Sequence, residues 1–378
     1  MVIGLVREIA AGERRVALTP SAVRRLVEGG HRVFVEHGAG DESHFTDAGY
    51  AQSGAQILFS ASEVMDRAEL LVKVERPGPE EFEQLHPGQT VMAFFHLATA
   101  TRTAVHGLLS RGITTIGFEI VETADGRLPV LVPMSEIAGP MAIAVAAHLL
   151  RSSSGGRGVL LGGAPGIPPA RIVILGGGTV GTWAARTAVN AGASTVVFDN
   201  DVHQLRRLFH TVPGAIAVMS DADGVGRAVV EADVVIGAVL RHGERAPHLV
   251  TKAMVESMRP GTVVLDVAID QGGCVETSRP TTLADPVFAH KGVLHYCVAN
   301  MTADIAHTAS AVMSQAVLPY VEALAGHGVE EGLARLPDLA RGLYTFRGHC
   351  VSVPLAQRWH FAPHSFQELM VEKATNKL

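Results

Sequence analysis

The sequence predicts an α/β protein of two domains, each built on a parallel sheet, with the second inserted into the first and a cleft between them. Three observations lead there. At 378 residues the chain is too long for one ordinary core and about right for two. Hydrophobic residues make up 47%, aromatics only 5%, and there are 40 glycines, a balance that suits Val/Ile/Leu strands joined by tight turns. Short apolar runs alternate with helix-like stretches from the first residue onward, which is the rhythm of βα units.

The first domain, residues 1–134, opens with a strand over 2–6, a helix over 21–28 and a strand over 32–36. Further strands follow at 55–59, 68–74, 90–97 and 114–120, none with a glycine fingerprint. A helix over 135–150 then begins the second domain, 135–302, with Ser135 as N-cap and Glu136 in its first turn. After a loop rich in Ser, Gly and Pro, the strand 172–175 runs into Gly176-Gly177-Gly178-Thr179-Val180-Gly181 and a helix over 179–191. In this G-x-G-x-x-G turn Gly176 takes backbone angles closed to other residues, and Gly178 lets a pyrophosphate approach the main chain. Gly181 lets the helix lie close on the strand, with its N-terminal amides toward the phosphates. The next strand, 195–198, ends in Asp199, eighteen residues after Gly181, where a carboxylate can accept from ribose hydroxyls. That carboxylate would repel a 2′-phosphate, which favours NAD over NADP. Arg206 and Arg207 could serve a phosphate, but they fall on a helix (202–209) whose exposed face accounts for them. Strand, turn, helix and acid together mark a Rossmann-like nucleotide domain, and the βα rhythm of the first domain predicts a second Rossmann-like sheet. Apolar runs at 233–239, 262–267 and 293–298 complete the nucleotide unit, which ends near Asn300. A helix over 303–325 leads out of it, and residues 303–378 return to the first domain.

Composition excludes several function classes. A net charge of −6 gives no basic footprint for nucleic acid. The longest apolar run, 138–150, is 13 residues and contains His148, short of the roughly 20 that a membrane span needs. The N-terminus lacks a basic leader followed by an apolar core, so a cytoplasmic location is expected. Cys274, Cys297 and Cys350 show no metal spacing, and no metal is expected.

Four residues beside apolar runs could carry chemistry. Lys73, within Leu70-Leu71-Val72-Lys73-Val74-Glu75, is either snorkelling from an edge or buried for a purpose. His96 closes Val91-Met92-Ala93-Phe94-Phe95-His96, where a histidine is more often a hydrogen-bonded core residue than a catalyst. Asp270 ends the run from Val263 at the carboxyl edge of a strand, and Arg15 sits in a polar loop where a solvated charge is the default. Together they fit a dehydrogenase of amino or hydroxy acids, which needs a cation for the carboxylate and an acid/base for the proton that accompanies hydride loss.

The chain resembles the alanine dehydrogenase branch of the alanine dehydrogenase and pyridine-nucleotide transhydrogenase family. The motifs that carry the resemblance cover most of the sequence. They are Glu13-Arg14-Arg15-Val16-Ala17-Leu18-Thr19-Pro20, Leu71-Val72-Lys73-Val74, Phe95-His96-Leu97, Pro133-Met134-Ser135-Glu136-Ile137-Ala138-Gly139, Gly156-Arg157-Gly158-Val159-Leu160-Leu161-Gly162-Gly163, the Gly176–Gly181 turn, Ala268-Ile269-Asp270-Gln271-Gly272-Gly273-Cys274 with Ser278-Arg279-Pro280-Thr281-Thr282, and Tyr296-Cys297-Val298-Ala299-Asn300-Met301. The resemblance implies reversible NAD-linked oxidative deamination of L-alanine to pyruvate and ammonia by a two-domain subunit of a homo-oligomer, usually a hexamer. It implies that Arg15 and Lys73 hold the substrate carboxylate and carbonyl, that His96 is the acid/base and that Asp270 stands beside the nicotinamide. It further implies that Ser135, Asp199, Ser220, Val239, Val267, Val298 and Asn300 line the cofactor.

Departures concentrate after Met301. The family pattern there has a proline, a basic residue before Thr-Ser and a Thr-Asn pair, whereas this chain has Thr302-Ala303-Asp304-Ile305-Ala306-His307-Thr308-Ala309-Ser310 and Ser314-Gln315. Gln204 replaces a frequent basic residue, and the stretch from Tyr344 to the end also drifts. Rival readings are a transhydrogenase nucleotide-binding module, the same chemistry on another 2-amino acid or an opine-type substrate, and a non-catalytic NAD sensor. Asp270-Gln271-Gly272-Gly273-Cys274 opposes the first, since transhydrogenases resemble a Glu-Gln-Gly-Gly-Asn version; the four charged residues in matching contexts oppose the last. Phe94, Met134 and Met301 are candidates for the walls of a methyl-sized pocket.

Overall fold

A computed structural model describes residues 1–97, 100–239 and 245–375; the last three residues of the returning segment lie outside it. The chain forms two compact units, one of Met1–Met134 together with the chain from Ala303 onward, the other of Ser135–Thr302.

In the first unit β1 (Val2–Leu5), the helix Pro20–Glu28 and β2 (Arg32–Glu36) form one parallel βαβ turn, followed by β3 (Gln56–Leu58), β4 (Leu70–Glu75), β5 (Thr90–Phe94) and β6 (Thr114–Gly117). Residues of β4, β5 and β6 are buried almost without a break, which is why they read as continuous apolar runs rather than alternating ones. The run 90–97 stops at Phe94 as a strand because His96 turns at φ 46°. The run 114–120 stops at Gly117 and ends in a 3-10 turn, Phe118–Ile120. β4 carries an extra residue against β5 between Val72 and Glu75, a bulge at Lys73.

The second unit orders its strands as β7 (Arg171–Leu175), β8 (Ser194–Asp199), β9 (Ile216–Met219), β10 (Val234–Gly237), β11 (Val263–Asp266), β12 (Val287–His290) and β13 (Val293–Tyr296). In space the order is β12-β13-β11-β10-β7-β8-β9, so the chain reverses direction across the sheet between β7 and β10. That is the switch point at which doubly wound sheets bind ligands beyond their strand ends. Two boundaries differ from the sequence reading. The helix expected over 135–150 is Leu131–Leu149, because the Leu128 carbonyl accepts from Val132 N–H and Pro133 suits a first turn; Ser135 is therefore helical, not the cap. β11 ends at Asp266, so Asp270 lies in a 3-10 turn, Val267–Gln271, rather than on a strand end.

The helix Leu131–Leu149 is the one helix among the described residues with the length and composition to cross a membrane. Its Ala138, Ala142, Ile143, Ala146 and Leu149 are instead buried in the core under β7, β10 and β11. Gly139 makes that packing possible, since a Cβ there would stand 2.7 Å from the Val180 carbonyl oxygen and the Ala184 nitrogen.

A 3-10 turn, Met301–Ile305, precedes the helix Ala306–His327, and the chain then adds β14 (Leu343–Phe346) and β15 (His349–Cys350). The first sheet is thereby eight-stranded, β15-β14-β6-β5-β4-β1-β2-β3. Neither sheet is purely parallel as expected: β14 lies antiparallel to β6 and to β15, and β12 antiparallel to β13, each at one edge. Tight returns explain the β12–β13 and β14–β15 pairs, because an antiparallel neighbour needs only a short connection and a parallel one needs a crossover; β14 reaches β6 from the far side of the second unit's sequence.

Candidate active site

In the second unit the glycine turn divides into two kinds of position. A Cβ on Gly176, which turns at φ 104°, would meet the Ala238 carbonyl oxygen at 2.4 Å, and one on Gly181 would meet the Gly176 carbonyl oxygen at 1.8 Å. Both are closed by the protein itself. A Cβ on Gly178, the N-cap of the helix Thr179–Asn190, would meet nothing within 4 Å. Open space beside the first amides of a 12-residue helix is a cradle for an anion, and the turn fits a dinucleotide pyrophosphate.

Asp199 ends β8 and ties this turn down: Gly177 N–H donates to Oδ2 at 2.6 Å and Asp201 N–H to Oδ1 at 2.7 Å. Each oxygen keeps a further acceptor site, so the carboxylate can hold the loop and receive hydroxyls together. Ser220, directly after β9, donates its N–H to the Asp199 carbonyl at 2.9 Å. Val239 follows β10 against Gly176, Val267 opens the turn after β11, and Val298 and half-buried Asn300 follow β13. The structure thus gathers these expected positions along one sheet edge. Ser135 lies one helical turn before Gly139, where its helix packs on the one that follows the glycine turn.

Sequence reasoning missed Asp266. Buried at 1% exposure, it accepts from Cys274 N–H at 3.0 Å and Val275 N–H at 3.1 Å, folding back the loop that carries half-buried Asp270. A Cβ on Gly237 would stand 2.3 Å from Cys274 Sγ, so that glycine makes room for the clamp. Burial, with Asp266 beside it, pushes the Cys274 thiol well up, which keeps it protonated and unreactive.

In the first unit Arg15 and Lys73 are both buried and both paired with glutamates. Arg15 gives Nε to Glu13 Oε1 at 2.8 Å and Nη2 to Glu13 Oε2 at 2.6 Å, while Nη1 lies 3.7 Å from Met134 Sδ. Glu13 takes one edge of the fork and fixes its plane. Arg15 is therefore not the solvated loop charge that was its default reading. Against its burial, Arg15 and the Arg15 and Arg14 amides hold the Glu13 carboxyl below its usual range. Lys73, bulged out of register and without exposed side-chain surface, donates to Glu81 at 2.7 Å and pairs with Glu8 at 3.2 Å. Burial alone would depress it, but those two carboxylates outweigh burial and hold Lys73 above its usual value. Burial pushes Glu8 up to about 7, although Lys73 and the Val74 amide oppose it. Burial also raises Glu75, against the opposing pull of nearby His96 and Arg15; its Oε1 lies 3.7 Å from Arg15 Nη2.

His96 is half-buried, left-handed at φ 46°, and stacks on Phe94 at 5.8 Å with an 11° interplanar angle. Its N–H donates to Glu119 Oε1 at 2.6 Å. Glu119, like Glu8, Glu13 and Glu81, escaped the sequence reading; only Glu13, inside the Arg15 motif, had a local signal. The divergent segment after Met301 also gains a place. Ser310 Oγ accepts from Val16 N–H at 2.9 Å, Ser314 Oγ from Thr19 N–H at 3.0 Å, and His307 Nδ1 bonds the Ser43 carbonyl at 2.8 Å. Those serines hold the stretch that carries Arg15.

Comparison with known proteins agrees with this arrangement. The family model described as "Alanine dehydrogenase/PNT, N-terminal domain" matches residues 4–138, and "Alanine dehydrogenase/PNT, C-terminal domain" matches residues 142–353. An alanine dehydrogenase of Halomonas elongata is 45% identical over 92% of this chain and 94% of its own. A solved L-alanine dehydrogenase superposes with a TM-score of 0.89 at 44% identity, covering 94% of this chain and 98% of that one. A transhydrogenase from Sinorhizobium meliloti superposes at 0.78 with 26% identity, covering 93% and 99%. Matching family models over both sheets, and near-complete overlap with these relatives, make the chain a member of the alanine dehydrogenase/PNT family.

Proposed function

We propose that this protein is an NAD-dependent dehydrogenase that converts L-alanine, water and NAD⁺ to pyruvate, ammonium, NADH and a proton, reversibly. The observation that carries the reading is His96: an imidazole just past a strand end, in a backbone conformation that L residues avoid, in the same unit as a buried arginine and a buried lysine, with Glu75 close enough to feel both His96 and Arg15. Such strain persists only where surrounding structure enforces it, and it clusters at functional sites.

Gly176, Gly178 and Gly181 would hold the cofactor pyrophosphate and Asp199 its ribose, with Ser135, Ser220, Val239, Val267, Val298 and Asn300 along the same edge. The absence of a 2′-phosphate in NAD suits the Asp199 charge. When bound, NAD accepts a hydride from the substrate α-carbon. Arg15, its plane fixed by Glu13, and Lys73 would anchor the substrate carboxylate and carbonyl so that the α-hydrogen is presented in one direction. His96 would take the amine proton before hydride loss and pass it to solvent, then take a proton from the water that adds to the iminium carbon and give it to the departing ammonia. Asp270 would steady the developing positive nitrogen. Phe94 against His96 and Met134 against Arg15 are both buried and would serve as walls against a large side chain; Met301 packs in the core of the second unit. A homo-oligomer, hexameric by family resemblance, and a cytoplasmic location complete the proposal.

The test is NADH formation by purified protein across a panel of 2-amino acids, with alanine expected fastest and serine or 2-aminobutyrate slow. A misfit methylene is worth only about 1–3 kcal/mol. His96→Ala should lower turnover by about 10²–10⁴-fold with NAD affinity unchanged. Faster oxidation of a bulky amino acid would transfer the reading to another substrate, and no NADH with any amino acid would remove it. Light scattering of the purified protein reads the oligomer.

A further inference from the structure

We propose that Glu119 and Tyr344 are positioning residues for His96, a carboxylate clamp locked by a phenol from a distant strand, which together hold the histidine backbone in its left-handed conformation. The inference rests on the dehydrogenase reading above. Glu119 stands in the 3-10 turn after β6, the strand beside β5. Two successive amides converge on it: Phe95 N–H donates to Oε2 at 3.2 Å and His96 N–H to Oε1 at 2.6 Å. A third donor, Tyr344 OH, reaches the same Oε1 at 2.8 Å. Burial and Glu119 hold that phenol well above its usual pKa, so it remains a donor throughout the working range.

Two irregularities in the sheet bring Tyr344 to this point. Against β6, Leu343 pairs with Ile116 and Thr345 with Thr115, so Tyr344 is an extra residue in β14 and its side chain is re-aimed. At the end of β6, a Cβ on Gly117 would lie 2.4 Å from Tyr344 Cε2, so the ring crosses the strand only because that residue is glycine. Bulge, glycine and left-handed histidine lie far apart in sequence and meet at one carboxylate. With the backbone set by Glu119 and the ring stacked on Phe94, the imidazole has one favoured orientation. Glu119 and Tyr344 act through His96 and need not touch substrate.

Tyr344→Phe keeps the ring and removes only the hydroxyl, and Glu119→Gln keeps the shape while weakening acceptance from two amides. Tyr344→Phe should fold with an unchanged melting temperature to within a few degrees and lose turnover on alanine by about tenfold, with alanine KM and NAD affinity within twofold. In a His96→Ala background the same change should cost nothing further, because its effect passes through the histidine. A second measurement does not depend on catalysis: the His96 ring cross-peak, assigned by its loss in His96→Ala, should move in Tyr344→Phe and further in Glu119→Gln. Turnover within twofold of wild type in Tyr344→Phe, an undiminished loss in the His96→Ala background, or an unmoved cross-peak each overturns the clamp. If wild-type protein forms no NADH from alanine, the functional reading fails while the cross-peak still decides the clamp.

Discussion

A buried ammonium needs one carboxylate to offset its charge, and Lys73 has two. Burial disfavours the second negative charge, with Glu13 and Glu81 adding to that against Lys73 and the Val74 amide, so Glu8 holds its proton up to about pH 7. Over the interval between the ordinary carboxylate range and about 7, the folded chain binds a proton that the unfolded chain has already released. Stability therefore falls as pH rises through that window and levels off above it. Glu8→Gln has no proton to lose. Relative to wild type it should gain up to about 3 kcal/mol between about pH 5 and 8, read by urea unfolding across pH, and parallel curves would contradict the assignment. Asp199 gives a second residue-scale expectation, because it both holds the turn and carries charge. Asp199→Asn should keep most of the turn while weakening NAD by about 10–100-fold and narrowing the gap to NADP; Asp199→Ala should in addition lower the melting temperature. Calorimetric titration with both nucleotides separates these effects. Lys73 and His96 were legible in the sequence because a polar residue inside an apolar run is a local anomaly. Glu8, Glu81 and Glu119 resemble surface glutamates until the fold carries them to Lys73 and His96, 65, 8 and 23 residues away in the chain.

Elements were most legible where burial covers both faces. β4, β5, β7, β10 and β11 announce themselves as unbroken apolar runs, whereas β9 and β12 are edge strands with partly exposed residues and β14 alternates through Tyr344 and Thr345. The glycine turn was legible as a motif, with the special backbone of Gly176 and the close approach at Gly181; what the structure adds is the open space beside Gly178. Gly178→Val should fold with a melting temperature near wild type, since its side chain enters open space, yet bind NAD at least tenfold more weakly. Gly181→Ala must displace a carbonyl oxygen 1.8 Å away and should lose both stability and binding. Thermal unfolding with and without NAD tells them apart: equal behaviour of the two variants would mean that the space at Gly178 is not where the pyrophosphate lies. The two bulges, at Lys73 and Tyr344, had no signal in the sequence, because register is a property of paired strands and not of either one.

At the scale of the molecule, the first unit takes strands from both ends of the chain, and Thr345 N–H meets Thr115 Oγ1 across 230 residues of sequence. A chain ended after Arg341 would leave β6 as a buried-type strand with an unpaired edge, and should appear in the insoluble fraction, while full-length protein does not. The same separation orders events on the ribosome. At roughly 5–20 residues per second, an emerged β6 waits about 10–50 s before β14 is made. The glycine-turn unit, encoded entirely within that interval, is free to fold first. Tyr344 arrives among the last parts of the chain, and with it the third hydrogen bond to Glu119. A nascent protein of this architecture therefore acquires its nucleotide-binding unit before its histidine is locked, and during the delay the open edge of β6 is the surface that a chaperone would have to shield.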